Sequence, residues 1–125
     1  MNGSDADPTV ANLLIDTDIF VDHLRGARAL TAGSDRVWYS VLTRCELFAG
    51  SRADEAVIGM LLSPFTELPV DRPTAERAGR LRRTAGLRIA DAIIAASALE
   101  HGLTLVTRNL RDFHDVPELA VRSPS

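Results

Sequence analysis

Short apolar runs alternate along this chain with segments of helical spacing, and this alternation restricts the fold more than any other feature. Residues 13–15, LLI, form a continuous apolar run, which is typical of a strand buried on both faces. Residues 37–39 and 103–106 are interpreted in the same way, and helical patterns separate the three runs. Strands separated by helices predict an α/β fold with a mainly parallel sheet flanked by α-helices.

Capping residues and glycines mark the boundaries of the predicted helices. Ser40 or Thr43 can cap the helix that carries Glu46 and ends at Gly50, and Gly102 suits the position just after a helix. The other predicted helices cover residues 17–26, 53–62, 72–86 and 89–101. Residues 65–70 are expected to be extended, and residues 119–121 to form an edge strand.

The length of 125 residues fits one domain, and an apolar fraction of 46% with a charged fraction of 25% is typical of globular proteins. Residues 1–11 are interpreted as a flexible tail, residues 12–122 as the folded domain and residues 123–125 as a C-terminal tail. No apolar stretch approaches the roughly 20 residues that cross a bilayer. The N-terminus lacks the pattern of a secretory signal, so a cytoplasmic location is expected.

Charge and cysteine content restrict the partners and the redox chemistry. The net charge of −3 argues against a broadly basic nucleic-acid surface, although all 14 basic residues are arginine. Cys45 is the single cysteine, so the sequence excludes an intrachain disulfide, and we expect this side chain to be buried.

Four acidic side chains lie in four separate blocks with apolar neighbours. They are Asp16 in LLIDTDIF, Glu46 in TRCELFAG, Asp91 in RIADAIIAASALEHG and Asp112 in TRNLRDF. Two carboxylates about 5 Å apart repel by roughly 3 kcal/mol at an effective dielectric constant of about 20, so a converging set needs a cation. Carboxylate oxygens favour Mg²⁺ or Mn²⁺, whereas the three histidines lack the ligand spacing of a zinc site.

Each acid also has a structural interpretation. Asp16 can cap the following helix, but Asp18 is the better candidate for that role and would leave Asp16 for chemistry. Glu46 fits the end of a capping box that begins at Thr43, and Asp112 suits a turn. Asp91 could interact with the N-terminus of its helix. Such an interaction stabilises an exposed acid by only about 0.3 to 1 kcal/mol, which does not account for a buried acid inside RIADAIIAASA.

The four blocks together resemble the PIN-domain ribonucleases, specifically the VapC-type toxins of bacterial toxin–antitoxin modules. LLIDTDIFVDHLRG resembles the family's opening block, SVLTRCELFAG its S-x-x-T-x-x-E-L-x-x-G block, IADAIIAASALEHGLTLVTRN its longest signature, and NLRDF its closing acid. The resemblance covers residues 12–122. It implies a Mg²⁺-dependent endoribonuclease that hydrolyses RNA phosphodiester bonds, with tRNA or rRNA as the expected substrate, a cognate VapB-like antitoxin and a homodimer.

The resemblance assigns catalytic roles to four acids, of which the first three bind the metal: Asp16, Glu46, Asp91 and Asp112. It leaves open whether Asn109 or Asp112 fills the fourth place. Thr107 matches the hydroxyl of the family's TRN block, where it is expected to hold a metal-bound water. Arg108 is a candidate for positioning RNA phosphates.

Two other functions compete with this interpretation. LLIDTDIF also resembles the opening of haloacid-dehalogenase-type phosphatases, in which Asp16 would be the nucleophile and Asp18 the acid. Those enzymes ordinarily use a lysine, and this chain has none. The second alternative is a non-catalytic PIN-like module that binds RNA or protein, which the presence of all the candidate acids disfavours.

Overall fold

The computed structural model describes residues 10–26 and 35–124, and the elements below are those of these ranges. They occur in the order β1 (Asn12–Ile15), α1 (Thr17–Leu24), β2 (Arg36–Ser40), α2 (Val41–Phe48), α3 (Glu55–Leu62), β3 (Thr66–Leu68), α4 (Arg72–Ala85), α5 (Ile89–His101), β4 (Thr104–Val106), α6 (Leu110–Phe113) and β5 (Val121–Arg122).

The strands form one sheet in the order β3-β2-β1-β4-β5, and every neighbouring pair is parallel. The predicted α/β fold with a parallel sheet is therefore confirmed. Because β1 lies in the centre, the chain segments that leave β1, β2 and β4 meet at one edge of the sheet. Asp16 follows β1 there, and its backbone N–H donates to the carbonyl of Val106 at 3.0 Å.

Successive side chains of β1 point to opposite faces and join two hydrophobic cores, as the two-residue period of a strand requires. Leu14 packs in the core that lies under α4 and α5. Leu13 and Ile15 pack in the core that lies under α1 and α3. A central strand covered on both faces explains the continuous apolar run in the sequence.

The predicted boundaries of α4 and α5 agree with the structure. Gly86 and Gly102 follow these helices in the left-handed conformation, with φ of 69° and 65°. Helix α3 begins two residues later than predicted because Asp54 caps it by accepting from the N–H of Val57 at 3.2 Å. The short helix α6 follows β4, and the last strand lies at Val121–Arg122 rather than at residues 119–121.

Three local predictions are wrong. Asp16, not Asp18, caps α1, so one carboxylate takes part in both the cap and the site. Ser40 caps α2 by accepting from Leu42, which puts Glu46 in the second half of that helix and excludes the capping-box interpretation. Cys45 is exposed rather than buried.

The predicted tails, residues 1–11 and 123–125, fall partly outside the described residues and stay predictions. Ala11 is described, and it accepts a backbone hydrogen bond from Arg36 at 2.9 Å. Among the described helices, none is both long enough and apolar enough to cross a membrane.

Candidate active site

Asp16 lies at the centre of the candidate site and is held through both carboxylate oxygens. Its Oδ1 accepts from the N–H of Thr17 at 2.8 Å, and its Oδ2 accepts from the hydroxyl of Thr107 at 2.8 Å. Asp16 is 8% exposed and Thr107 is fully buried. Because these residues follow β1 and β4, which are neighbours in the sheet, the parallel topology itself brings them together.

The pKa of Asp16 is raised to about 6, chiefly by burial and then by the nearby carboxylate of Asp18. The hydrogen bonds from Thr107 and Thr17 act in the opposite direction, and Asp91 adds a smaller repulsion. The charged form of Asp16 is therefore destabilised by its surroundings. A cation at this carboxylate would relieve both the desolvation and the repulsion.

Asp18 carries a buried oxygen that no described residue satisfies. Burial raises the pKa of Asp18, while the guanidinium of Arg108 opposes the shift. Its Oδ2 accepts from the side-chain amide of Asn109 at 3.0 Å and lies 3.6 Å from Arg108 Nε. Its Oδ1 is buried and has no hydrogen-bond partner in the described ranges. An unsatisfied oxygen of this kind is costly, and a cation or an ordered water would satisfy it.

Arg108 joins the loop after β4 to α1. Its Nε lies 3.0 Å from Asp22 Oδ2, and Asp22 is one helical turn after Asp18 on α1. The backbone N–H of Asn109 donates to Thr107 Oγ1 at 3.0 Å, which fixes the same loop from the inside. The arginine is about half exposed, so part of its guanidinium faces solvent beside the acids.

Glu46 reaches this edge from α2 and is held by a pair of threonines. The hydroxyl of Thr17 donates to Glu46 Oε1 at 2.6 Å, and the hydroxyls of Thr17 and Thr43 lie 2.9 Å apart. Thr43 is fully buried, whereas Glu46 is exposed. Glu46 is therefore oriented towards the residue next to Asp16, with its other oxygen available to solvent.

Asp91 is the third residue of α5, the helix that packs on the sheet through its alanines. Its side chain is 17% exposed, and Arg88 Nε lies 3.4 Å from its Oδ2. The negative charge of Asp91 is the smallest of the causes that raise the pKa of Asp16. Helix α5 begins without a side-chain cap, so the ion pair with Arg88 is the polar contact that restrains Asp91.

Asp112 is the predicted acid that the structure does not bring to this group. It lies in the first turn of α6 and is exposed. Within the described ranges, no hydrogen bond or ion pair links it to the other acids. Asn109 contacts Asp18 instead, so the structure favours Asn109 over Asp112 at the fourth place.

Two participants were missed from the sequence. Thr17 orients Glu46, and only the packing of α1 against α2 reveals this contact. Asp22 binds Arg108, and the four-residue spacing from Asp18 would have predicted that both acids share one helical face.

The donor set fits a hard divalent cation that keeps part of its water shell. No three Asp, Glu, His or Cys side chains of the described residues stand close enough to enclose one ion. Mg²⁺ is usually bound through one or two carboxylates and several waters, so such a cage is not required. The destabilised charge of Asp16, its repulsion by Asp91 and the unsatisfied oxygen of Asp18 are the features that suit the cation.

The family of this chain follows from its match to a protein-family model. The family model of the PIN domain matches residues 13–119, which is most of the chain. The chain belongs to the PIN-domain family. The resemblance seen in the four sequence blocks is thereby confirmed.

Curated and solved relatives of this PIN domain agree. Ribonuclease VapC19 of Mycobacterium tuberculosis is 36% identical over 119 residues, an alignment that covers 85% of this chain and 95% of the relative. Ribonuclease VapC10 of the same species is 34% identical and covers 81% of this chain and 85% of the relative. A toxin–antitoxin complex from Klebsiella pneumoniae superposes with a TM-score of 0.77 at 35% identity, covering 90% of this chain and 98% of that one.

Proposed function

We propose that this PIN domain is a Mg²⁺-dependent endoribonuclease and the toxin of a VapC-type toxin–antitoxin pair. The observation that carries the proposal is the buried carboxylate of Asp16, whose pKa is raised to about 6 and which Thr107 holds at the carboxyl edge of the sheet beside Asp91. The relatives named ribonuclease VapC support the assignment of RNA as the substrate.

Asp16 and Asp91 would hold the cation, with Glu46 as the third acid. When bound, Mg²⁺ supplies positive charge that offsets the phosphodiester and favours ionisation of an attacking water. Thr107 keeps Asp16 oriented for this task, and Thr17 holds one oxygen of Glu46 so that the other stays available to water or to the ion.

RNA positioning requires cations outside the acidic centre, because carboxylates repel phosphates. Arg108 meets this requirement: Asp18 and Asp22 hold one edge of its guanidinium, and about half of the side chain is exposed. We expect Arg108 to contact a phosphate of the substrate, which we propose to be tRNA or rRNA. The change Arg108→Ala should weaken RNA binding without unfolding the chain; unchanged cleavage would remove Arg108 from the site.

The proposed partner is a VapB-like antitoxin, and the toxin is proposed to act as a cytoplasmic homodimer. A cavity of about 640 Å³ lies between α1 and α3 and opens beside Glu46, with apolar walls that include Leu24 and Val57. It suits an apolar segment of a partner. Arg88 and Arg108 already contact the acids, which supports inhibition by a basic side chain of the antitoxin. A small copurifying protein would support this model, and full activity in a saturated complex would contradict it.

The nuclease is tested by incubating partner-free protein with a mixture of tRNA and rRNA, with Mg²⁺ or with EDTA. Asp91→Asn should abolish the products, and Asp115→Asn is the matched control because Asp115 lies on the exposed surface, paired with His114. Discrete products that require Mg²⁺ are expected. Identical patterns with EDTA would contradict the proposal.

A non-catalytic RNA-binding or protein-binding module is the second candidate. The observation in its favour is that no three candidate ligands of the described residues enclose a single ion. RNA binding by folded protein, without cleavage across several RNA pools containing Mg²⁺ or Mn²⁺, would support it.

A further inference from the structure

The C-terminal part of α4 is strongly basic in a chain whose net charge is −3. Residues 76–88 contain five arginines and one acid. Arg77 is paired with Glu100 at 2.7 Å and Arg88 with Asp91, but Arg82 and Arg83 form no ion pair with any described residue. Neighbouring cations without counter-charges raise the local potential and attract anions.

A depression lies among these arginines. Its volume is about 470 Å³, and its walls are Gly79, Arg82, Arg83, Gly86 and Leu87. A Cβ atom at Gly79 or at Gly86 would meet nothing within 4 Å, so the space is open. The depression therefore presents two guanidinium groups beside an open space, and the two glycines leave that space unobstructed.

One of these arginines is fixed on the link between α4 and α5. Arg82 Nη1 donates to the carbonyl of Leu87 at 2.9 Å, which holds its guanidinium on the link between α4 and α5. Leu87 comes two residues before α5 begins at Ile89, and α5 packs back along α4 after this link. The basic depression and the acidic site thus lie at the same end of the α4–α5 pair.

We propose that Arg82 and Arg83 form an accessory site for a backbone phosphate of the RNA, next to the bond that is cut. This inference rests on the proposed ribonuclease function and extends it to substrate positioning. Arginine suits the task because its planar guanidinium donates two parallel hydrogen bonds to phosphate oxygens. Arg82 and Arg83 also lie in the last turn of α4, where their positive charge offsets the partial negative charge of the helix C-terminus. If this were their only role, replacing them would leave RNA affinity unchanged.

The decisive variants change the charge of the depression while preserving the helix. Gly79→Glu places a carboxylate at its wall, and Gly79→Ala is the matched control without charge; both should strengthen α4, because glycine is unfavourable inside a helix. Arg83→Gln removes a cation from the wall, and Arg72→Gln removes one from the other end of the same helix. The readout is the anisotropy of a labelled single-stranded RNA in EDTA, at several salt concentrations, with melting curves as a folding control.

Gly79→Glu and Arg83→Gln should each weaken RNA binding about tenfold, whereas Gly79→Ala and Arg72→Gln should stay within about twofold. For Arg83→Gln the slope of log K against log salt should fall by about 0.7, the value for one phosphate on a single strand. In Mg²⁺ the same two variants should raise KM and leave kcat unchanged.

If all four variants bind the RNA equally well while the unchanged chain cleaves RNA, the accessory site is overturned and the proposed nuclease function is not. If the substitutions changed only the inhibition by a copurified protein partner, the accessory RNA site would also be overturned, because the depression would then bind an acidic peptide. If the unchanged chain neither binds nor cleaves RNA, the proposed function itself fails and the accessory site fails with it.

Discussion

Thr107 and Asp16 lie 91 residues apart in the sequence, yet the threonine hydroxyl donates a 2.8 Å hydrogen bond to one oxygen of the aspartate. The contact exists because β1 and β4 are paired and end at the same edge of the sheet. It leaves Asp16 buried, oriented and beside other acids. The site therefore combines a rigid scaffold with a carboxylate whose charge is poorly stabilised by the protein alone.

Replacing Thr107 with valine should raise the pKa of Asp16 above its value of about 6, because the hydrogen bond from this hydroxyl lowers it. We expect kcat/KM at pH 6.5 to fall about tenfold, and the free energy of unfolding to fall by about 1 kcal/mol, the usual net contribution of a hydrogen bond. Thr107→Ser keeps the donor and should retain most activity. An unchanged pH profile of Thr107→Val would contradict this role.

Asp16→Asn should inactivate the chain and yet stabilise it without metal. The folded chain holds the Asp16 proton more tightly than the unfolded chain, with a pKa of about 6 against 3.8. Ionisation at pH 7 therefore costs roughly 3 kcal/mol. Since asparagine cannot reproduce both hydrogen bonds, a gain of about 1 to 2 kcal/mol is expected from denaturant unfolding in EDTA. A loss of stability at pH 7 would show that the charge of Asp16 is well accommodated.

Stability without metal should increase as the pH falls from 7 through 6, because protonation removes the unfavourable charge of Asp16. The increase continues towards 3.8, the value for the unfolded chain, and Asp18 contributes in the same direction. Asp16→Asn should flatten most of this dependence. The measurement is a series of urea midpoints in EDTA, and parallel curves for both proteins would contradict the assignment.

Mg²⁺ should stabilise the chain at pH 7 but much less at pH 5, where Asp16 is largely protonated. A ligand at one hundred times its dissociation constant stabilises a fold by about 2.7 kcal/mol. The melting temperature should rise with Mg²⁺ in the unchanged chain and in Asp112→Asn, and it should stay constant in Asp16→Asn. An equal response of all three proteins would indicate nonspecific ion binding.

The fourth place of the site is tested by comparing Asn109 and Asp112. Because Asn109 contacts Asp18 while Asp112 is exposed, Asp112→Asn should stay within about threefold of full activity, and Asn109→Ala should lose more than about tenfold. Removal of the amide also leaves the second oxygen of Asp18 with Arg108 as its partner. The opposite order of effects in kcat/KM would assign the fourth place to Asp112.

The sequence predicted the parts of the site that depend on strand order and periodicity. The position of Asp16 follows from a buried strand in a parallel sheet, and that of Asp91 from an apolar helix packed on it. The threonine pair that holds Glu46 depends on how α1 packs against α2, which no local pattern encodes.

The orientation of α6 explains why the side chain of Asp112 lies apart from the other predicted acids. Phe113 is 1% exposed and anchors this short helix in the core. Neighbouring residues of a helix point about 100° apart, so the burial of Phe113 turns Asp112 towards solvent. The sequence contains both residues, but only the packed structure shows which of them faces the core.

The most direct test of the account is the single-turnover cleavage rate of an RNA containing a mapped cut site. It should be measured for the unchanged chain, Asp16→Asn and Asp91→Asn, each with Mg²⁺ and with EDTA and each shown to be folded. The unchanged chain should cleave the RNA with Mg²⁺ and not with EDTA, and both variants should lose at least about a hundredfold in rate. Cleavage that survives EDTA or both substitutions would contradict a metal-dependent site at these two acids.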